Sequence, residues 1–187
     1  ILDFVVSNAN SRSVSVALGS GDGSFGTVID YPTGSNSSSP LALGDVNNDG
    51  FADIVVGNSG NDNVSIMLNN GDGTFGTASF FALGDSPFDI VLQDINSDGN
   101  LDIMSADANS NTVTVLAGDG TGSFTLLTTL AAGTAPVDMA FGSLSGNAGG
   151  PGGGSPGDPT LVNAVVSGTT TNSTVKLIYS ERLDGDA

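Results

Sequence analysis

The nine residues DVNNDGFAD at 45–53 recur as DINSDGNLD at 94–102, a step of 49 residues. A second segment repeats at nearly the same step, because GDGSFG at 21–26 returns as GDGTFG at 71–76. One pattern recurring at a constant step of this length is typical of an array of similar structural units. The sequence therefore predicts a repeat protein with units of about 49 residues.

The predicted domain organisation is a single repeat array over residues 1–187. Its four units fall at about residues 1–39, 40–86, 87–135 and 136–187. The last unit is degenerate: VNAVVSG at 162–168 still matches the pattern, but a Gly/Pro-rich insertion at 149–159 interrupts the unit.

Each unit reads as strands and turns. In the second unit the strand candidates are Leu41–Gly44, Asp53–Gly57, Asn63–Leu68 and Thr77–Leu83, all short and bounded by Gly, Asn or Asp. Four short antiparallel strands in about 49 residues match one β-propeller blade. A β-sandwich is the alternative, although a sandwich would not repeat one loop at a constant step. The predicted fold class is therefore all-β, built from propeller blades of four antiparallel strands.

The strand count leaves the propeller incomplete. The first unit supplies three strands, the next two units four each, and the last unit three more, near 137–142, 162–167 and 173–180. The total of fourteen strands corresponds to about three and a half blades, too few to close a ring. The chain is expected to be a partial propeller or one that is completed between chains.

The composition is acidic and excludes several functions. The chain has 3 Lys+Arg against 20 Asp+Glu, a net charge of −17, and neither Cys nor His. Nucleic-acid binding and membrane insertion are not expected, because few cations are present and no apolar run approaches a membrane span. Without Cys or His, thiolate and Ser-His-Asp catalysis are impossible. A paired-Asp glycosidase is conceivable, but loops and turns account for the Asp residues, so no enzyme activity is predicted.

The repeated motif D-x-N-x-D-G-x-x-D predicts a calcium site, because calcium takes six to eight hard oxygens from alternating loop positions and a Gly allows the sharp turn. The predicted ligands of loop one are Asp45, Asn47, Asp49, the carbonyl of Phe51, and Asp53. Those of loop two are Asp94, Asn96, Asp98, the carbonyl of Asn100, and Asp102. Asp3 is predicted to be the last ligand of a third loop. In the last unit Ser143, Ser145 and Asn147 hold the ligand places, and no site is expected there.

The alternative is an Asx-rich turn without metal. Against it, carboxylates within a few ångströms of each other repel by roughly 1–4 kcal/mol per pair at surface dielectrics. Calcium is expected to be structural rather than catalytic, since protein oxygens would fill most of its coordination shell.

DVNNDGFADIVVGN at 45–58 and DINSDGNLDIMSAD at 94–107, each followed by a Gly-Asp-Gly turn and Phe, resemble FG-GAP repeats. These are the integrin-α-like, calcium-binding propeller blades also found in bacterial surface proteins and some fungal lectins. The resemblance is strong over residues 1–130 and weak beyond them. It implies calcium in the loop between the first two strands of a blade, and an extracellular adhesive or carbohydrate-binding role.

The expected function is an extracellular or cell-surface, calcium-stabilised module for adhesion or structural self-assembly, with an oligomer or filament completed between chains. Its expected partners are other copies of itself, a surface protein or a glycan. A carbohydrate-binding lectin is the first alternative, and a non-catalytic accessory domain of a larger secreted enzyme is the second. Glycosylation sequons begin at Asn36, Asn63 and Asn172.

Two groups of aromatic residues are distinguished by their spacing. Phe25, Phe75 and Phe124 recur at steps of 50 and 49 and are predicted to lie in the blade cores. Other aromatic residues are less regular and are candidates for a partner surface: Tyr31, Phe80 and Phe81.

Overall fold

The computed structural model describes residues 1–35, 38–142, 160–167 and 174–180, and in these ranges the regular secondary structure is entirely β. The strands of the described residues are β1 Phe4–Asn8, β2 Ser13–Ala17, β3 Ile29–Pro32, β4 Ser38–Gly44, β5 Asp53–Asn58, β6 Asn63–Met67, β7 Ser79–Ala82, β8 Pro87–Gln93, β9 Asp102–Asp107, β10 Thr112–Gly118, β11 Phe124–Ala131, β12 Thr160–Ser167 and β13 Thr174–Ser180. The chain divides into two compact units, Ile1–Met139 and Ala140–Ala187.

The first unit holds three antiparallel sheets in which neighbouring strands follow each other in sequence. Blade 1 is β1-β2-β3, blade 2 is β4-β5-β6-β7 and blade 3 is β8-β9-β10-β11. In the second unit β12 and β13 form an antiparallel pair. These sheets confirm the predicted all-β fold of propeller-like blades. They arise from short runs of Val, Ile and Phe bounded by Gly and Asn, which suit a pleated and partly buried surface.

One turn repeats in all three blades: it joins β1 to β2, β5 to β6 and β9 to β10. Arg12, Asp62 and Asn111 take left-handed conformations with φ of 58°, 52° and 58°. The carbonyl of each accepts a backbone N–H at 2.8–2.9 Å from the residue that follows the last strand of its blade, which is Thr33, Leu83 or Ala132. Because these bonds recur in all three blades, each turn holds the outer edge of its own sheet.

Blades 1 and 2 pack face to face through aliphatic side chains. Val14 and Val16 of blade 1 form one buried cluster with Ile54, Val56 and Met67 of blade 2. Ile54 and Val56 are both 0% exposed. Alternation along β5 turns these two residues toward blade 1 and Val55 toward blade 3.

Blades 2 and 3 pack in the same manner. Val55 and Ile66 of blade 2 lie in a second buried cluster with Ile90, Ile103 and Leu116 of blade 3. A blade therefore buries both faces only when it has a neighbour on each side.

An aromatic pair closes each of these two interfaces near the outer strands. The rings of Tyr31 and Phe75 are 5.4 Å apart at 78°, and those of Phe81 and Phe124 are 5.5 Å apart at 72°. Tyr31 and Phe81 are thus repeat equivalents that pack on the next blade, whereas Phe80 is 52% exposed. Edge-to-face pairs contribute about 0.5–1.5 kcal/mol beyond the area that they bury.

One predicted strand is wrong. Residues 137–142 are described and form no strand, so the chain has thirteen described strands rather than fourteen. The physical reason is a competing tertiary contact, because the N–H of Met139 donates to the Asp89 carboxylate of blade 3 at 2.9 Å. The predicted insertion at 149–159 and the ligand places at Ser143, Ser145 and Asn147 lie outside the described residues. Among the described residues, no helix is long and apolar enough to cross a membrane.

Candidate metal centre

Loop one joins β4 to β5 and is organised by its own side chains. The Asp45 carboxylate accepts the N–H of Asp49 at 3.1 Å and that of Gly50 at 2.8 Å. The Asn47 amide donates to Asp49 at 2.8 Å, and Asp49 accepts the N–H of Phe51 at 2.9 Å. Gly50 has φ of 90°, a conformation that favours Gly over other residues. The motif therefore folds into a tight turn that its own side-chain oxygens hold by accepting backbone N–H groups.

Loop two joins β8 to β9 and repeats these contacts. Asp94 accepts the N–H of Ser97 at 2.7 Å and that of Gly99 at 3.0 Å. The Asn96 amide donates to Asp98 at 2.8 Å, as its counterpart does in loop one. The two motifs thus build the same local structure in two blades.

The last Asp of loop one is buried and joins three parts of blade 2. Asp53 is 0% exposed. One of its carboxylate oxygens accepts the N–H of Val46 at 2.9 Å, and the other accepts the N–H of Asn69 at 2.8 Å. Asp53 therefore ties the start of its loop to the segment after β6.

Asp102 makes the same two contacts in blade 3, with the N–H of Ile95 at 2.9 Å and that of Gly118 at 3.0 Å. In blade 1 the Asp3 carboxylate accepts the N–H of Gly19 at 2.8 Å. In all three blades the acceptor and donor are sixteen residues apart. The sequence indicated these Asp residues only as metal ligands, and the structure adds a hydrogen-bonding role.

Burial raises the pKa of the Asp53 carboxyl above its ordinary value of 3.8, and the charges of Asp49 and Asp45 add to the increase. Two backbone N–H donors act in the opposite direction but do not cancel the burial. A raised folded-state pKa favours folding below the unfolded-state pKa, and that contribution is lost as pH rises through the folded value. Keeping Asp53 ionised at neutral pH therefore costs stability, which a bound cation would offset.

The two loops contact each other across the interface of blades 2 and 3. The Asn48 amide donates to the Asn100 side chain at 2.8 Å. Gly120, with φ of 73°, lies directly against both amide groups, so a β-carbon at Gly120 would collide with them. The N–H of Gly122 also donates to the carbonyl of Val46 in loop one, at 3.2 Å. The hairpin turn of blade 3 thus bridges the two loops.

We expect Asn48→Ala and Asn100→Ala to destabilise the chain by about 0.5–1 kcal/mol each, with a double variant that loses less than the sum. Urea unfolding of the four proteins, in chelator, measures this coupling. The control is Asn48→Ala combined with Asn10→Ala, a residue of the β1–β2 turn in blade 1, which should be additive. Additivity of the Asn48 and Asn100 variants would contradict a stabilising contact between the loops.

The structure brings the predicted ligands of each loop into one turn, and their oxygen-only donor set suits calcium in chemical type. However, no group of three or more carboxylates in the described ranges is gathered tightly enough to hold a metal ion as it stands. The calcium prediction therefore rests on the chemistry of the donors, and it stays a prediction.

Only one of the three predicted glycosylation asparagines lies in the described residues. Asn63 starts β6, and its side chain accepts a hydrogen bond from the Asn58 amide at 2.8 Å. Asn36 and Asn172 lie outside the described residues. Glycosylation stays a prediction.

The aspartates of the Gly-rich turns have a structural role of their own. Hydrogen bonds from the side-chain hydroxyls of Ser24, Thr74 and Thr121, and then from backbone N–H groups, lower the pKa of the exposed Asp22, Asp72 and Asp119. Each of these aspartates receives both bonds from a residue two positions later. Such Asx turns need no metal.

A family model described as an FG-GAP-like repeat matches the chain three times, over residues 1–56, 45–105 and 94–148. The curated proteins contain no match. Among solved structures, a mutant form of the Photorhabdus luminescens Tc holotoxin pore is similar, with 22% identity and a TM-score of 0.42. That match covers 69% of this chain and 6% of the holotoxin chain.

Proposed function

Because the chain belongs to the FG-GAP-like repeat family, we propose that it is an extracellular, calcium-stabilised, non-catalytic module for cell-surface adhesion or structural self-assembly. The observation that carries this proposal is the pair of loops with matching hydrogen bonds in blades 2 and 3. Each motif supplies three carboxylates, one amide oxygen and one carbonyl within nine residues, and this set is suited to a hard divalent cation.

In loop one the metal would be held by Asp45, Asn47, Asp49, the carbonyl of Phe51, and Asp53; in loop two by Asp94, Asn96, Asp98, the carbonyl of Asn100, and Asp102. Bound calcium supplies positive charge that offsets the repulsion among these carboxylates. Since Asp53 and Asp102 also bond backbone in their own blades, calcium would stabilise the blades themselves.

The acidic surface makes any association of this chain sensitive to salt. The net charge of −17 makes the copies repel one another, and salt at physiological strength screens such charges beyond about 8 Å. Calcium would also reduce the net charge directly. Adhesion and assembly by this chain are therefore expected to depend on calcium and on salt.

Thermal unfolding in calcium and in chelator tests the proposal. For dissociation constants near 10⁻⁴ M, 1 mM calcium stabilises a two-site chain by about 3 kcal/mol, equivalent to roughly 5–10 °C in Tm. The Asp49→Asn/Asp98→Asn double variant should lose this calcium response, and Asp72→Asn, which alters an exposed turn aspartate outside the loops, should keep it.

Two results would contradict the calcium proposal. One is an equal Tm in calcium and in chelator. The other is an undiminished calcium response in the Asp49→Asn/Asp98→Asn variant, since this would place the ion elsewhere. Magnesium at the same concentration controls for general charge screening.

Carbohydrate binding is the second candidate, and an aromatic groove favours it. A groove of about 340 Å³ between blades 1 and 2 is lined by Tyr31, Met67, Phe75 and Phe80 among others. Aromatic walls with a few polar groups are typical of small-molecule sites. A glycan array probed with the chain and with Phe80→Ala tests this candidate, and binding that is equal in both proteins, or absent, would count against this groove.

A further inference from the structure

Two grooves lie side by side along the interface of blades 1 and 2. The first, of about 340 Å³, is lined by Tyr31 of blade 1 with Phe75 and Phe80 of blade 2, among others. The second, of about 220 Å³, is lined by Tyr31 with Asp72 and Thr74 of blade 2, among others. Because Tyr31 lines both grooves, they are adjacent, and together they are called the blade 1–2 cleft.

Small residues of blade 2 leave room for this cleft. Residues 76–78 (Gly-Thr-Ala) line it, and they correspond at a step of 49 to residues 125–127 (Thr-Leu-Leu) of blade 3. Conversely, Phe80 corresponds to the smaller Thr129. Blade 2 thus combines three small residues with an aromatic ring, a combination that blade 3 does not carry at the equivalent positions.

The aromatic wall of the cleft is tightly packed from behind. The Phe80 side chain is 52% exposed, and a β-carbon at Gly34 would lie 3.0 Å from its ring. Gly34 also has φ of 77°, so glycine is favoured there on both counts. Beside this ring lie Met67, which is 1% exposed, and the edge-to-face pair of Tyr31 and Phe75. Well-packed aromatic side chains of this kind are frequent hot spots of binding.

The wall that blade 1 contributes is an edge strand. Among the described residues β3 pairs only with β2. It has four residues and ends at Pro32, which has no N–H to donate. A short edge strand that contains Pro is poorly suited to extension by another strand. A polyproline II segment needs no backbone ladder, because it binds aromatic-lined grooves and is extended before it binds. The cleft therefore favours a proline-rich segment over an added β-strand.

The charge of the cleft selects a cation. Among the described residues that line the two grooves, Asp72 is the one charged side chain. Thr74 donates its N–H and its hydroxyl to Oδ1 of Asp72 at 2.9 and 2.6 Å, so Oδ2 can accept from a ligand. The hydroxyl bond, and then the backbone bond, lower the pKa of Asp72 and keep it ionised. The net charge of −17 also attracts basic partners and repels acidic ones.

We propose that the blade 1–2 cleft binds a proline-rich, basic segment of a partner protein, with prolines and other apolar side chains against Tyr31 and Phe80 and a Lys or Arg side chain at Asp72. This inference names a class of partner for the proposed module. It rests on the proposed function only in treating the chain as an adhesive module, and it does not depend on calcium.

Fluorescence polarisation with synthetic peptides tests the proposal. The probe is the capped peptide RPLPPLPPR, labelled with an uncharged dye; its two arginines allow either orientation to reach Asp72. One comparison peptide replaces both arginines by glutamate, and the other replaces every proline by glycine. We expect saturable binding of the probe that weakens as salt rises, and binding at least about tenfold weaker for each comparison peptide, because one repels Asp72 and the other must be ordered on binding.

Variants with matched controls locate the binding site. Phe80→Ala should weaken probe binding about tenfold or more, whereas Phe88→Ala should not, because Phe88 is similarly exposed at 54% but does not line the cleft. Asp72→Asn should weaken binding about two- to fivefold and reduce its dependence on salt. Asp119→Asn, the same change in the equivalent turn of blade 3, should leave binding unchanged. Ala78→Leu should fill the cleft and also weaken binding, and circular dichroism checks that each variant is folded.

Several results would overturn the proposal. They are no saturable binding of the probe by the wild-type chain, equal binding of the glutamate peptide, and undiminished binding by Phe80→Ala. Glycan binding that Phe80→Ala abolishes, with no peptide bound, would overturn it too and assign the cleft to a carbohydrate.

The two proposals fail in different ways. An equal Tm in calcium and in chelator, with peptide binding intact, would contradict only the calcium-stabilised function. A normal calcium response without peptide binding would contradict only the inference about the cleft.

Discussion

Asp53→Ala in chelator is expected to lower the free energy of unfolding by about 2–5 kcal/mol. The Asp53 side chain is fully buried and accepts the backbone N–H groups of Val46 and Asn69. Truncation leaves both donors without their partner inside the blade, and a buried unsatisfied donor costs about 1–3 kcal/mol. Urea unfolding monitored by circular dichroism measures the loss, and the chelator removes any contribution from bound metal.

The matched control is Asp3→Ala, which removes the equivalent carboxylate from blade 1. Asp3 is exposed and bonds one backbone N–H, that of Gly19, so a loss below about 1 kcal/mol is expected. Asp53→Asn keeps one acceptor oxygen and should be intermediate. Equal losses at Asp53 and Asp3 in chelator would contradict the structural role of the buried aspartate and leave it only a ligand role.

Ile54→Ala is expected to destabilise the chain by about 2–5 kcal/mol. Ile54 is 0% exposed and lies with Val14 and Val16 in the cluster between blades 1 and 2. Its truncation removes buried methyl groups and leaves a cavity that the close-packed sheets cannot readily fill. Because the cavity lies between two blades, blade 1 is expected to become more susceptible to proteolysis than blades 2 and 3.

Phe4→Ala is the control for Ile54→Ala, since Phe4 holds the same position in the repeat but is 37% exposed. It should cost less than about 1.5 kcal/mol, although phenylalanine is the larger side chain. Both unfolding experiments are run at low protein concentration, so that contacts between copies do not contribute. A Phe4→Ala loss that matches the Ile54→Ala loss would show that this face of blade 1 is covered within the single chain.

Local patterns were sufficient to predict most strands. The β5 prediction of Asp53–Gly57 differs from the observed Asp53–Asn58 by one residue, and the β6 prediction of Asn63–Leu68 differs from Asn63–Met67 by one. Short apolar runs bounded by turn residues determine such strands locally. The strand expected at 137–142 does not form, and the N–H of Met139 in this segment is bonded instead to Asp89 of blade 3, a contact that local sequence does not contain.

The candidate site was also only partly predictable. The D-x-N-x-D-G-x-x-D spacing indicated which side chains share one turn, and the structure places them there. Sequence reasoning missed the donors Gly19, Asn69 and Gly118, whose constant distance of sixteen residues from an aspartate was the available signal. It also missed the contact of Asn48 with Asn100, because these residues are distant in the chain.

The sequence by itself determined the repeat, the all-β class, the position of the blades and the chemistry of the two loops. Each of these depends on spacing within about 50 residues, where turn geometry and alternating hydrophobicity act directly. Only the tertiary structure decided which apolar faces are covered. Phe4 and Ile54, or Phe25 and Phe124, occupy equivalent positions in the repeat, yet one of each pair is exposed and the other buried. Burial is a property of the neighbouring blade, and a residue's own sequence context does not encode whether that neighbour is present.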